Sequence, residues 1–398
     1  MFWAVYVPGK QQDILLLNEV INMNSILNLE ERINKLKEED EDSFKLFNSI
    51  FYTSNASGKL EIPLSFIEKV HTYFGNKDNE GNIIEPKNEV NERIRTQKVV
   101  KTYNKWTGEG SLFNSLRASR PGMRPQERSQ EHEKVQEFIE KSKKDCDFCQ
   151  PEKYTPKDVF GRVQGKHCIT GANIAKYDAW NSMVFFKKHN PLDFTQDELS
   201  DYIETGFKWF KKVYNYDKQF ISPIFIWNCL QKAGASQVHG HAQVLMTNNI
   251  HYAKTQFLRK NFGNYMQLTG RNYFKDLYNV HKALGLTLNA DINGFASITP
   301  IKEKEFIIIS KENPSTNDAI KEAIYRVLRC YIDKLGVNSF NMAISCPAFG
   351  GTFLPYIIRI VDRGSILKPT VDVGAMELYG SSVISDDPYN IIKAINEF

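Results

Sequence analysis

The chain has 398 residues, 51 basic and 47 acidic, for a net charge of +4, with 41% apolar and 25% charged residues. That length favours more than one domain, or one domain built from a duplicated unit, and can bury a core without disulfides. The near balance of charge speaks against a nucleic-acid binder, and no apolar run approaches the eighteen or so residues that cross a bilayer.

The opening, Met1-Phe-Trp-Ala-Val-Tyr-Val-Pro-Gly-Lys10, lacks a basic segment followed by an apolar one, so a cytoplasmic chain without a signal peptide is expected. Residues 1–95 read as an N-terminal accessory region. Within it, 28–47 carries a charge-rich helical pattern with Leu29, Ile33, Leu36 and Phe44 as its apolar points, and 75–86 reads as a polar loop. Residues 106–121 contain Arg117 and Arg120, three apart and just before a proline. Guanidinium forks suit phosphate oxygens, although a solvated surface turn has the same spacing. Cys146-Asp-Phe-Cys149 points, in a cytosolic chain, to metal or redox chemistry.

From there one pattern occurs twice. The first copy reads as strands at 169–173 and 180–189, a helix at 195–214 and a strand at 221–227 leading into a histidine segment. The second reads as strands at 286–292, 294–300 and 305–310, a helix at 316–335, and strands at 339–345 and 354–361. The expected fold class is α+β, a duplicated unit with an antiparallel sheet and flanking helices. The expected divisions are 1–95, 96–250 for the first, catalytic half, and 251–398 for a second half without active-site histidines.

The histidine segment is Gly234-Ala-Ser-Gln-Val-His-Gly-His-Ala-Gln243. On a strand His239, His241 and Gln243 share one face. A neutral imidazole can attack an α-phosphorus if one ring nitrogen is free and the other donates a hydrogen bond. Amide and hydroxyl donors such as Gln243 and Ser236 can then hold the non-bridging oxygens. Asn228 ends the preceding apolar strand, eleven residues before His239.

The stretch from Asn228 to Gln243 resembles the active-site segment of galactose-1-phosphate uridylyltransferases, a branch of the histidine-triad superfamily. Its pattern is G-[CAS]-S-[NQ]-P-H-P-H-x-Q, with an asparagine eleven residues before the first histidine. The resemblance implies that His241 takes up the nucleotidyl group. It implies that Gln243 marks the transferase branch over the hydrolase branch, and that Ser236 and Asn228 contact the phosphates. Residues 113–121 resemble the family's R-A-x-R-P segment, which assigns Arg117 and Arg120 to the nucleotide; Asn173 resembles the asparagine near the ribose. Cys146, Cys149, His189 and His239 match a closed tetrahedral site found in some members, which implies structural zinc. His167 is a lesser alternative ligand, and the other four cysteines read as buried apolar residues. Val238 and Gly240 stand where the family has proline.

The second copy has no histidine around 354–361. Near the C-terminus Ala375 and Glu377 depart from the family's tyrosine and glutamate at the sugar, although Arg363 or Lys368 could reach a phosphate. The resemblance implies a zinc-containing nucleotidyltransferase acting on a nucleoside diphosphate sugar or related nucleotide through a nucleotidyl-histidine. Its partners would be a nucleotide sugar and a phosphate or sugar-phosphate acceptor, with no nucleic acid or membrane, and a homodimer is compatible with the reading. The rival readings are a phosphorylase of an NDP-sugar or dinucleoside polyphosphate, and a zinc-stabilised nucleotide-binding scaffold without activity.

Overall fold

A computed structural model describes residues 24–78, 80–117, 131–351, 353–368 and 373–398. Two sheets organise it. The larger has eight strands in the order β4-β5-β7-β6-β10-β11-β9-β8, and every neighbouring pair is antiparallel. Its first four strands are β4 (Cys168–Ala172), β5 (Trp180–Phe186), β6 (Phe220–Cys229) and β7 (His241–Asn248). The other four are β8 (Gly294–Ala296), β9 (Phe306–Ser310), β10 (Phe340–Ser345) and β11 (Tyr356–Asp362).

The strand order is a palindrome of the duplicated pattern. Taking each copy as strand, strand, helix, strand, strand, the first contributes its strands in the order one, two, four, three. The second contributes three, four, two, one. The third strands, β6 and β10, meet at the seam with Asn228 opposite Asn341. An antiparallel seam between like strands is what a local twofold axis produces. The α+β duplicated sheet expected from the sequence is therefore present.

Alternation along each strand divides the sheet into two faces. One face carries Val184, Phe225, Trp227, Ala242, Val244, Met342, Ile344, Ile358 and Ile360, all of them at or near zero exposure. The helix Gln196–Tyr216 lies on it so closely that a Cβ on Gly206 would stand 2.8 Å from Phe225 and 3.1 Å from Val244. That helix opens with a capping box, Thr195 and Glu198 satisfying each other's backbone N–H groups. The second copy's helix, Asp318–Arg329, is joined to it by Lys321 and Glu204 at 2.6 Å. The helix expected at 316–335 is regular only to Arg329, and Cys330–Lys334 widens into a π turn.

The smaller sheet has the order β1-β2-β3-β12, formed by Phe51–Lys59, Thr96–Asn104, Gly110–Phe113 and Ser382–Ile384. The Thr102 hydroxyl donates to the Ile298 carbonyl at 2.6 Å and that of Ser111 to Pro300 at 2.8 Å, fastening this sheet to the second copy. The helix expected across 28–47 is two helices, Leu29–Glu39 and Glu41–Ile50. Asp40 separates them because its carboxylate caps the second, accepting from the Ser43 N–H at 3.1 Å. The strand expected at 286–292 is reduced to one bridge, Thr287 to Phe295. No helix among the described residues is long and apolar enough to cross a membrane.

Candidate functional site

The second face of the large sheet carries the site. Phe185 lies opposite His241 across β5 and β7, and Ile226 lies opposite Gln243 across β7 and β6. Asn228 lies two residues beyond Ile226 on the same face of β6, and faces Asn341 on β10. His241, Asn228 and Asn341 thus share one face on three adjacent strands. Strands β6 and β10 alternate between buried and half-buried positions, so this face remains open over the seam.

His241 is buried, at 6% exposure. Its Nδ1 lies 2.8 Å from the backbone carbonyl oxygen of His239, which can only accept. The proton is therefore on Nδ1, and the lone pair is on Nε2. Burial holds the imidazole below its ordinary pKa, so the ring is neutral at pH 7. The ring of Phe148 packs edge-on against it, with centroids 5.3 Å apart. Beside it the Gln243 side chain is also buried, yet among the described residues its Oε1 meets no hydrogen-bond donor. A buried amide left unmet calls for a bound molecule or water.

The segment before His241 is held from both sides. Leu230, at φ 63° and ψ 176°, and Gly234, at φ 92° and ψ 12°, both take positive φ at the ends of a single 3₁₀ turn, and only Gly234 is left-handed helical. The Ala233 N–H donates to the Ser339 hydroxyl at 3.0 Å, and the Ala233 carbonyl accepts from Asn341 Nδ2 at 2.9 Å. Gly240, where the family pattern has proline, is required here by packing. A Cβ on it would come within 2.4 Å of the Phe186 ring.

One residue before that glycine, His239 joins Cys146, Cys149 and His189 in a cluster whose four donor atoms lie within 4.8 Å of one another. Cys146 and Cys149 flank a short turn that follows the helix His132–Lys141, and His189 follows β5. The Nδ1 of His239 lies 3.6 Å from Cys146 Sγ, 3.5 Å from Cys149 Sγ and 3.2 Å from His189 Nδ1; Cys149 Sγ is 3.4 Å from His189 Nδ1. Metal bonds of about 2.3 Å to sulfur and about 2.0 Å to nitrogen give tetrahedral edges of roughly 3.5 Å for S···N and roughly 3.3 Å for N···N. These four separations match those edges.

The tautomers agree with that geometry. His239 Nε2–H donates to the Phe186 carbonyl at 2.7 Å, and His189 Nε2–H to the Ile139 carbonyl at 3.1 Å and the Ser142 hydroxyl at 2.9 Å. Both Nδ1 lone pairs therefore face the cluster. Burial and the neighbouring Cys146 push the Cys149 thiol up to about 11, and burial brings His239 down to about 4. A Cys149 thiol whose ionisation is disfavoured and two imidazoles held neutral by burial, beside Cys146, are a donor set that a divalent cation completes.

Of the other residues singled out in the sequence, Ser236 is exposed, just after the Gly234 turn. Asn173, at the end of β4, donates through its Nδ2 to Asn181 Oδ1 at 2.9 Å. Arg117 closes the turn Ser115–Arg117 on the smaller sheet, and Arg120 lies outside the described residues. His167 is not in the metal cluster, and Cys168, Cys229, Cys330 and Cys346 are buried free thiols. Lys368 pairs with Glu131 at 3.7 Å. Sequence reasoning missed Phe148, which sits inside the cysteine pair and packs against both His239 and His241. It also missed Asn341, whose only sequence signal is a polar residue within an apolar strand.

The equivalent face of the second copy is filled. Arg359 on β11 binds Glu305 at 2.7 Å and Glu109, in the loop before Gly110–Phe113 of the smaller sheet, at 2.5 Å, while Tyr273 and His281 cover the strands, leaving a cavity of about 40 Å³.

No family model matches this sequence, and no curated protein matches it. Among solved structures, a GalT-like protein from Arabidopsis thaliana is similar, with 16% identity and a TM-score of 0.53, over 63% of this chain and 91% of that one. An ADP-glucose phosphorylase from Arabidopsis thaliana with bound ADP-glucose is similar at 15% identity and a TM-score of 0.55, over 74% of this chain and 98% of that one. The likeness is one of fold: this chain has the fold of these two structures, here a duplicated α+β unit.

Proposed function

We propose that this chain is a nucleotidyltransferase that works through a covalent nucleotidyl-histidine at His241. The observation that carries the reading is the state of the His241 ring: Nδ1–H is committed to the His239 carbonyl and Nε2 is unprotonated, with the Gln243 amide, whose Nε2–H can donate to a phosphate oxygen, on the same strand face. In the first step Nε2 uses its lone pair to attack the α-phosphorus of a nucleoside diphosphate derivative. An N–P bond forms, and the P–O bond to the leaving phosphate breaks with its electron pair on that oxygen. The ring becomes cationic, and the carbonyl dipole of His239 at Nδ1–H stabilises it. Gln243, Asn228 and Ser236 are assigned to the non-bridging oxygens, with Arg117, Arg120 and Asn173 assigned to the nucleotide. An oxygen of a second phosphate then attacks phosphorus and frees Nε2.

Cys146, Cys149, His189 and His239 would hold a structural zinc ion, fixing the backbone of His239 and hence the carbonyl that orients His241. The donor is a nucleoside diphosphate sugar or a related nucleotide. The phosphorylase reading, with inorganic phosphate as acceptor, stands beside the uridylyltransferase-like one, because one of the similar folds is an ADP-glucose phosphorylase. Incubating the protein with ADP-glucose or UDP-glucose and measuring intact mass tests the shared first step. Adding inorganic phosphate or a sugar 1-phosphate and asking which removes the adduct identifies the acceptor. A nucleotide-binding scaffold would bind the donor and show no adduct.

A further inference from the structure

Asn341 stands on β10, in the copy that has no active-site histidine, yet it lies on the face that carries His241. Its orientation is determined by its neighbours. Arg363 Nη1 can only donate, and it binds Asn341 Oδ1. The Ala233 carbonyl can only accept, and it lies 2.9 Å from Asn341 Nδ2. The amide therefore cannot be turned over. Its second N–H must then meet an acceptor, and Asn228 Oδ1 lies 2.7 Å away. This in turn settles the Asn228 amide. Oδ1 is directed at β10, so Nδ2, on the other arm of the planar group, is directed away from it. On that other side lies β7, which carries His241 on the same face of the sheet. Among the described residues Asn228 Nδ2 donates to no protein acceptor.

We infer that Asn341, locked by Arg363, is a positioning residue that turns the Asn228 amide so that its Nδ2–H is presented to a phosphate oxygen at His241. The second copy thus contributes to the single site across the seam, through an asparagine pair that touches at the local twofold. The inference rests on the nucleotidyl-histidine reading. The two amides act as a series: a donor-only guanidinium at one end fixes which end of the last amide meets the substrate. The last group is then a hydrogen-bond donor, the kind of group that charge building on the phosphate oxygens requires.

The test measures the rate of adduct formation at saturating ADP-glucose or UDP-glucose, whichever labels the wild type, together with the Kd of that donor. Asn341→Asp keeps the acceptor for Arg363 but has nothing to donate to Asn228. The Asn228 amide then turns its Nδ2–H to Asp and its Oδ1 to the phosphate. Adduct formation falls by about 100-fold, with Kd changed by less than about 3-fold. Asn341→Ala frees the Asn228 amide without reversing it, and falls by about 10-fold. In a double-mutant cycle, Asn228→Ala with Asn341→Ala is no slower than Asn228→Ala alone. If Asn341→Asp does not fold, Asn341→Ala and the cycle carry the test. Labelling of Asn341→Asp at the wild-type rate, or fully multiplicative effects in the cycle, overturns the relay and leaves the nucleotidyl-histidine standing. Failure of the wild type to label with either donor overturns both.

Discussion

The Nδ1 proton of His241 is given to the backbone carbonyl of His239 over 2.8 Å, while the imidazole of His239 itself turns its Nδ1 into the cysteine–histidine cluster. One residue therefore serves two neighbours through different atoms. Its side chain joins the cysteine–histidine cluster, and its main chain sets the tautomer of the group two positions on. In the proposed function, a cation held there would act on the attacking nitrogen without touching it.

The first consequence concerns the metal. The protein as purified should contain about one zinc per chain. Cys149→Ser should lower the zinc content and the melting temperature together. Donor labelling at His241 should fall with them, since the His239 carbonyl loses its anchor. Full labelling in zinc-free protein would separate the cluster from the site.

Gly240 offers a steric test. The nearest ring atom of Phe186 stands 2.4 Å from where its Cβ would be, and Phe186 is itself stacked on Tyr202 with centroids 3.7 Å apart. Gly240→Ala must push that stack or displace the strand between His239 and His241. The expected loss of stability is about 1–3 kcal/mol, read from denaturant unfolding, with labelling reduced as well. Unchanged stability would show that the Phe186 ring yields freely.

The buried His281 predicts how stability depends on pH. Burial brings its pKa down to about 4 from an ordinary 6.5, and its Nδ1–H donates to the Leu277 carbonyl at 2.8 Å. The folded pKa is depressed, so below pH 6.5 the unfolded chain takes up a proton that the folded chain does not. Stability therefore falls as pH drops from 6.5 towards 4, by about 3 kcal/mol from this group. His281→Gln should be less stable at pH 7, and the gap to the wild type should narrow by about that amount at pH 4. A gap independent of pH would show that His281 does not titrate as its burial requires.

Arg359 ties the smaller sheet to the second copy by holding Glu109 and the fully buried Glu305. Arg359→Met leaves Glu305 without its cation in an apolar setting and should cost about 3–5 kcal/mol. The double change Arg359→Met with Glu305→Gln should recover much of that loss. No recovery would mean that the arginine acts through packing alone.

Much of this arrangement can be read from residue order, because it depends on local pattern. The repeated strand–strand–helix–strand–strand units are visible from periodicity, and the grouping of two cysteines with His189 and His239 is implied by the resemblance of the histidine segment. The seam is not legible in the same way. That β6 and β10 meet, with Asn228 opposite Asn341, depends on which edges of the two copies are left to pair. No local pattern reports that choice. The filling of the second copy's face by Tyr273, His281 and the Arg359 pair is similarly a product of tertiary packing, although the absence of histidine from β11 is plain in the sequence. The break at Asp40 was legible in principle, as an aspartate three residues before Ser43, but the apolar spacing runs through it.

The central claim is the covalent intermediate on His241, and intact mass spectrometry tests it most directly. Protein incubated with ADP-glucose or UDP-glucose and no acceptor should gain the mass of one nucleoside monophosphate less one water. The added group should be lost in acid, as a phosphoramidate is. His241→Ala should still bind donor and gain nothing. A wild-type mass that does not change with either donor, or an adduct that persists in His241→Ala, would contradict the account.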